Sequence, residues 1–569
     1  MSTAGARRLG LVAALAVAAG GACGGSSGSR PDGGGGSGTL GGAGKGGASG
    51  GGGGGVGATG GAGVTPQFSC KPAVPGPLTP TYFVDFAAGS DAADGLSQTT
   101  AWKHAPGDSA AGGGPAAAKL MPGDVVTFKG GVSYLGSVTI AASGTSGAPI
   151  IYDGNSRGTW GSGLAIIDGG ETRIGGFTVN GRSYVVIDSF MIKSFRKTQS
   201  STAVAIDGGA NDQVSNCQIS DVYYPTNPNP GTTTWESQSG NGITVNNSPG
   251  TRVSHNTVRD VGNAGISWSA GSGMQIAGGE IDCNEVTNMN WGIAVALGNS
   301  TPNTKITGLK ILGNTIHDFD QYEVCAVWHR DGLFVFARPD SAETSVENLE
   351  IAYNYFEDTK TKDFGSTAWI YLEYVCTGFH IHHNILGPSR SYFAIRVHGD
   401  GFQVAGNHLF ANNLIDNANG MGIGMHVQSS SGISLRNNIF YDDNEAYMVH
   451  TTSMTGFSAD YNLLYRLDGQ SPIVILNAGP AETPNQTGSQ SYDFADLRSM
   501  TPDEAHGVSG DPQFSVDPTT IALDPSGYAP KASSPALNHG TDLGFTEDFA
   551  GNPVPAGTAP DIGPYEREP

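Results

Sequence analysis

Charge is scarce in this chain, and what there is leans to one sign. Only 14% of the 569 residues are Asp, Glu, Lys or Arg, and 51 acids against 29 bases leave a net charge of −22. Nucleic-acid binding needs a basic footprint, so this composition argues against a nucleic-acid partner. The same charge repels an acidic polymer unless a local basic cluster or a bound cation compensates. Cysteine is sparse as well. Apart from Cys23 there are Cys70, Cys217, Cys283, Cys325 and Cys376, an odd set that does not describe a disulfide scaffold and leaves room for one or two bridges. Long apolar runs are missing. The run near the start, Leu9 to Ala19, is too short for a permanent membrane span. Helical 3.6-residue periodicity is hard to find anywhere.

What is abundant is a short repeat: apolar, any, any, Asn, any, apolar. It reads "VSHNTV", "IDCNEV", "ILGNTI", "IAYNYF", "IHHNIL", "FANNLI" and "LRNNIF", with Asn256, Asn284, Asn314, Asn354, Asn384, Asn413 and Asn438 at the fixed position. Asn216 precedes the series and Asn462 follows it, and Asp188 in "VVIDSFMI" is a candidate earlier rung. Spacing runs from 24 residues (Asn438 to Asn462) to 40 (Asn314 to Asn354), so the repeat tolerates loops. Between the asparagines lie segments such as "GNGITVNN", "NWGIAVAL", "TAWIYLEY" and "YFAIRVHG", with apolar residues at every second place. Period two means strand. Short strands with an asparagine at one corner describe a solenoid of about 11 coils, a rod on the order of 50 Å long. Asparagine suits the corner because it tolerates the left-handed conformation and its amide can bond to the next coil.

These motifs resemble the right-handed parallel β-helix proteins of the pectate-lyase-like superfamily. The opening "YFVDFAAGSDAADGLSQTTAW", "PGDVVTFKGG" and "SGAPIIYDG" is similar to their N-terminal cap and first coils, and "GDPQF", "SSPALNHG" and "GNPVPAGTAPDIGPYE" are similar to their closing segment. The expected fold is all-β: a single-stranded right-handed parallel β-helix over residues 65–500 with its N-terminal cap, closed by residues 501–569. One such fold hosts many reactions, so function has to come from the side chains.

Alignment of the strand segments on their inward apolar residues gives two outward columns. One reads Thr244, Ser267, Ala294, Phe334, Tyr371, Arg396, Gly424, and the other Asn246, Ser269, Ala296, Phe336, Glu373, His398, His426. The early coils are bland. The later ones gather a carboxylate, an arginine, histidines and aromatics, which makes Glu373, Arg396, His398, Tyr371 and His426 the candidate catalytic group. His329, Arg330 and Arg338 at the strand ends, with Phe336, are candidate substrate contacts. Polysaccharide-active β-helices bind sugar along such a face, which makes polysaccharide the expected partner. Tyr223, Tyr224 and Trp235, in a long gap between repeats, either contact sugar or cover the core edge.

Three functions compete: a lyase that cleaves a uronate-containing polysaccharide by β-elimination, a non-catalytic polysaccharide-binding or adhesion protein, and a glycoside hydrolase using Asp331 and Glu373. "RDGLF" resembles the Asp-Gly-Phe strand of one calcium-dependent lyase family, a resemblance that implies Asp331 as a metal candidate and Ca2+ as cofactor. In that family clustered aspartates hold the ion; here Phe334 stands where another is expected, and Glu323, Asp340 and Glu373 are the available substitutes.

The three close histidines of "FHIHHNIL" read differently. The His380 column is Arg252, Glu280, Lys310, Glu350, His380, alternating in sign as a charge ladder does. A zinc site there needs a third ligand, and the flanking columns offer only Glu350.

The N-terminus is read as export and tether. Arg7 and Arg8, the apolar run and the small residues after it describe a signal peptide over 1–22. Cys23 follows in a context that resembles a bacterial lipoprotein box, with Gly20 where leucine is usual. Residues 24–64 hold 23 glycines in 41 positions, a composition that cannot bury a core, so 23–64 reads as a flexible tether. A monomer outside the cell is the expectation, either secreted or at the outer-membrane surface and touching the membrane only through a lipid on Cys23. Cys23→Ser should then abolish lipid labelling and release the protein from membranes; an unchanged membrane fraction would show that no lipid anchors it.

Overall fold

The computed structural model describes residues 70–71 and 78–568, apart from 199, 224–239, 299–301, 319–329, 338–343, 359–367, 389–390, 400–405, 417–421, 451–455, 477–489 and 519–522. Residues 1–64, Cys325, His329, Arg338, Tyr224, Trp235, Glu323 and Asp340 lie outside the described residues. Alternating strand segments give the expected right-handed parallel β-helix. Three sheets of 13 strands each run the length of the rod, and a fourth of 4 strands fills one side midway. Thirteen strands at the usual separation make a rod about 58 Å long, two coils more than the Asn motif alone indicates. The added coils are the early ones, whose strands carry no ladder asparagine. All neighbours are parallel except the last pair in the second sheet, where Val474–Leu476 meets Gln490–Tyr492 antiparallel.

Inward side chains from every sheet form one continuous core. In the second sheet Ile243, Ile266, Ile293, Leu333, Ile370, Ile395 and Met425 stack in line, all fully buried. Each neighbour up the column is another aliphatic chain, so β-branched and leucine residues pack as they do on any pleated surface, with no register slip tolerated. Leu497, on the short helix Phe494–Met500, is fully buried in the same core.

The asparagines do stack in one line. From Asn256 through Asn284, Asn314, Asn354, Asn384, Asn413 and Asn438 to Asn462, each Nδ2 donates to the Oδ1 of the next at 2.9–3.0 Å. Each Oδ1 also accepts the backbone N–H of the asparagine before it, and each Nδ2 also reaches a strand carbonyl of the previous coil. Two details differ from the sequence reading. The left-handed residue is the one before the ladder asparagine: His255, Cys283, Gly313, Tyr353, His383, Asn412, Asn437 and Tyr461 all have φ between 50° and 62°. The ladder asparagine is held by its amide instead. Asn216 is itself at such a left-handed place (φ 53°), and Cys217 occupies the ladder position, where its N–H donates to Asn256 Oδ1 at 3.0 Å. The far end is closed by Glu504, whose Oε1 accepts Asn462 Nδ2 at 2.7 Å and Oε2 accepts Asn462 N at 3.1 Å.

The closing segment does not sit on the end of the rod. It runs back over the outer face of the third sheet, where Phe514, Tyr528, Phe549 and Tyr565 pack on Tyr355, Ile385, Leu414 and Ile439. At the other end Cys70 is bridged to Cys283, and Arg252 donates to Lys71 O, so the start of the folded chain is pinned to a middle coil. Cys217 and Cys376 are free and buried.

Asn354→Ala is expected to destabilise the rod by about 3–4 kcal/mol, because it strands buried donors and acceptors on two neighbouring coils at once. Denaturant unfolding of the wild type and variant measures this. A cost below about 1 kcal/mol would mean that backbone pairing alone holds the coils.

Candidate active site

The late coils of the second sheet carry the candidate group. Four strands are relevant: β1 (Asp331–Ala337), β2 (Ala368–Tyr374), β3 (Phe393–His398) and β4 (Ile423–Gln428). Phe334 pairs with Tyr371, Tyr371 with Arg396, and Arg396 with His426. Phe336 pairs with Glu373, Glu373 with His398, and His398 with Gln428. The columns therefore hold through β3 and shift by two residues in β4. His426 belongs with Tyr371 and Arg396, and Gln428 stands beyond His398 where His426 was expected. In "MGIGMHVQ" Ile423, Met425 and Val427 are three apolar residues at period two, which leaves two registers open. Packing selects the one with Met425 and Val427 fully buried in the core.

Outward does not mean exposed here. Tyr371, Glu373 and His398 are only 3, 3 and 7% accessible. Phe334 and Phe336 are fully covered as well, in an apolar cluster with Trp291, Tyr371 and Tyr374 on the outer side of the sheet. The expected open face is a covered one. Phe336 meets Tyr374 edge-on at 5.3 Å.

Within that cluster the polar atoms converge. Tyr371 Oη donates to Glu373 Oε1 at 3.2 Å and lies 3.0 Å from His398 Nδ1, and Nδ1 is 3.5 Å from the same carboxylate oxygen. A phenol has one proton. With that proton on the Glu373 side, Tyr371 Oη accepts from His398 Nδ1–H, and Nε2 carries the imidazole lone pair. His398 Nε2 and Glu373 Oε2 are buried and have no hydrogen-bond partner among the described residues. Burial pushes the Tyr371 phenol well above its usual range; the Arg396 charge opposes this and the Glu373 carboxylate adds to it. The Arg396 guanidinium lies over the Tyr371 ring at 5.2 Å and the Phe393 ring at 5.3 Å. Phe393 in turn stacks on His426 at 4.7 Å. Arg396 is thus held between two aromatic faces, a placement that suits a planar cation.

Asp331 stands at the start of β1, aligned with Trp291 and Ala368, and its Oδ1 accepts Ala368 N–H at 3.1 Å. Neither of these two column neighbours offers an oxygen ligand side chain. Asp331 is also five positions along the strand from the residue that pairs with Glu373, roughly 16 Å at the rise of a strand. Arg330 is buried beside Asp331.

The histidine stretch is placed as read. His380 pairs with Glu350, itself paired with Lys310, and Lys310 Nζ contacts Glu350 Oε2 at 2.6 Å. His382 and His383 are buried, with Nδ1 atoms 3.0 Å apart, between Tyr353 and Phe545 of the closing segment. Among the described residues the one group of three side chains close enough for a metal is Cys70, His255 and Cys283, two of which form the disulfide. Sequence reasoning missed the Tyr371 bridge between Glu373 and His398. The signal was present, since Tyr371 and Glu373 are two apart on β2 and His398 is Glu373's partner on β3.

Replacing Glu373 by Leu removes the acceptor of the Tyr371 proton. The phenol should then donate to His398 Nδ1, and the imidazole should switch from the Nδ1–H to the Nε2–H tautomer. Nitrogen-15 shifts of labelled histidine read this directly, and an Nε2–H form in the wild type would reverse the relay.

No family model matches the chain, and no curated protein matches it. Solved structures do. A xylose complex of XylC matches at 11% identity over 85% of this chain and 98% of that one, with TM-score 0.48. Pectate lyase Pel9A matches at 14% identity over 86% and 97%, with TM-score 0.46. The lacto-N-biosidase of family GH136 from Eubacterium ramulus matches at 14% identity and TM-score 0.41, over 63% of each chain, so this protein spans under two thirds of that enzyme's length. Similarity this low carries no argument about the chain; it is its own three stacked sheets of 13 strands that make it a right-handed parallel β-helix.

Proposed function

We propose that this protein is a carbohydrate-active β-helix that cleaves a uronate-containing polysaccharide by β-elimination at Tyr371, Glu373, Arg396 and His398. The observation that carries the reading is the link from Glu373 through Tyr371 to His398, with Arg396 stacked on the same tyrosine. Elimination needs the uronate carboxylate neutralised, the C5 proton removed, and the leaving oxygen at C4 protonated. Arg396 supplies a fork of donors that matches a carboxylate. His398 Nε2, which carries the imidazole lone pair, takes the C5 proton as the C4=C5 bond forms and the C4–O bond breaks. The imidazolium is stabilised through Tyr371 and Glu373, and returns the proton to the departing oxygen. Tyr371 keeps its own proton throughout, because burial raises its pKa. No step passes through calcium. The covered state of the site requires that the face opens before a glycan enters.

That burial favours a second reading, a rod that binds polysaccharide and leaves it intact, with the buried polar group serving the packing. An anchor through Cys23 and a glycine tether suits either reading at a cell surface.

Pectate, alginate and glycosaminoglycan substrates separate them. A lyase releases an unsaturated product that absorbs in the ultraviolet; a hydrolase gives reducing ends without that absorbance; a binder gives neither. On a cleaved substrate, His398→Ala should lower turnover by about 10²–10⁴-fold with folding intact, and Arg396→Ala should weaken both binding and turnover. Full activity in both folded variants overturns the site. Calcium added or chelated in parallel tests the expectation attached to Asp331.

A further inference from the structure

The C-terminal end of the rod carries a second cleft, remote in sequence from β1–β4. It is open to solvent, encloses about 620 Å3, and is lined by Tyr461, Arg498, His506, Asn538 and His539 together with small residues. That volume is within the range of small-ligand sites. The chain builds it where three pieces meet: the last ladder turn, the short helix Phe494–Met500, and the closing segment as it starts back along the rod. None of the described residues lining it is acidic, in a chain with 51 Asp and Glu.

Both imidazoles are oriented. His539 Nδ1 donates to Leu537 O at 2.7 Å, which leaves Nε2 for a ligand. His506 Nδ1 meets Asp460 Oδ2 at 2.9 Å, its backbone N–H donates to Asp460 Oδ1 at 2.8 Å, and its ring stacks on Tyr461 at 4.6 Å and 11°. Here too Nε2 is the remaining nitrogen. Arg498 spends one nitrogen on Ala505 O and lies over Phe494, with the rest of its fork exposed. A guanidinium, two fixed imidazole nitrogens and an aromatic platform suit a ligand with a carboxylate and neighbouring hydroxyls. A compact inorganic anion would use the cation and leave the rest idle.

We infer that this cleft is a secondary binding site for uronate units of an acidic glycan, holding the polymer to the rod away from the place of cleavage. The inference rests on the polysaccharide reading, and a test by binding keeps the two separable. Trigalacturonate and trimannuronate are titrated into the full chain by calorimetry, with cellotriose as the neutral control. At least one of the acidic trimers should bind, and cellotriose should bind at least about tenfold more weakly. Arg498→Ala should weaken the acidic trimer about tenfold or more. Ser509→Glu, which adds a carboxylate to the cleft wall and removes no cation, should do the same. Turnover of short substrates should stay at the wild-type rate in both variants. Binding in a protein that cleaves nothing would sustain the cleft and reject the lyase. Unchanged affinity in both variants, equal binding of cellotriose, or no binding of either acidic trimer would overturn the cleft, whatever the cleavage assay shows.

Discussion

A buried amide must be satisfied on every side, and in this rod that demand is met only by another coil. Asn354 shows the constraint most clearly. It accepts two hydrogen bonds from Asn314, donates to Ile311 O in the coil before, and donates to Asn384 in the coil after. No coil is complete alone, so the register of each fixes the register of the next. The same register sets Tyr371 against Arg396 and Glu373 against His398 in the second sheet. The candidate chemistry is positioned by a row of asparagines that never touches it.

Burial changes what the outward face can do. On an open strand Glu373, Tyr371 and His398 would each be paired with water, and their contacts would count for little. Beneath a covered surface, with Phe334, Phe336 and Tyr374 around them, hydrogen bonds strengthen and unpaired atoms become costly. Glu373 Oε2 and His398 Nε2 are such atoms among the described residues.

The fold was legible because its signals repeat. The asparagine motif and the period-two runs are short, but each occurrence reinforces the others, and the sign-alternating column from Arg252 to His380 came out in the register the sequence implied. The site was legible only in part. Residue spacing placed Glu373, Arg396 and His398 correctly, and failed at His426, where three apolar residues at even spacing allowed two registers. It could not show that the face is covered, because burial of an outward face depends on chain distant in sequence. Nor could it show the direction taken by the closing segment. Residues 501–569 read only as a closing segment, and packing alone shows their aromatics lying along the third sheet.

The row of amides also has a polarity. Every Nδ2 points along the rod toward the C-terminus and every Oδ1 the other way, so the amide dipoles add as peptide dipoles do in a helix. The two ends are therefore chemically different. The first is met by a donor, the N–H of Cys217, and the last by an acceptor, the carboxylate of Glu504 at the positive end of the row. A coil bearing one asparagine can be gained or lost between them without touching either terminus, since it brings one donor and one acceptor in the right order. The rod can thus change length by duplication in its middle, while Cys217 and Glu504 bound the stretch over which that is possible.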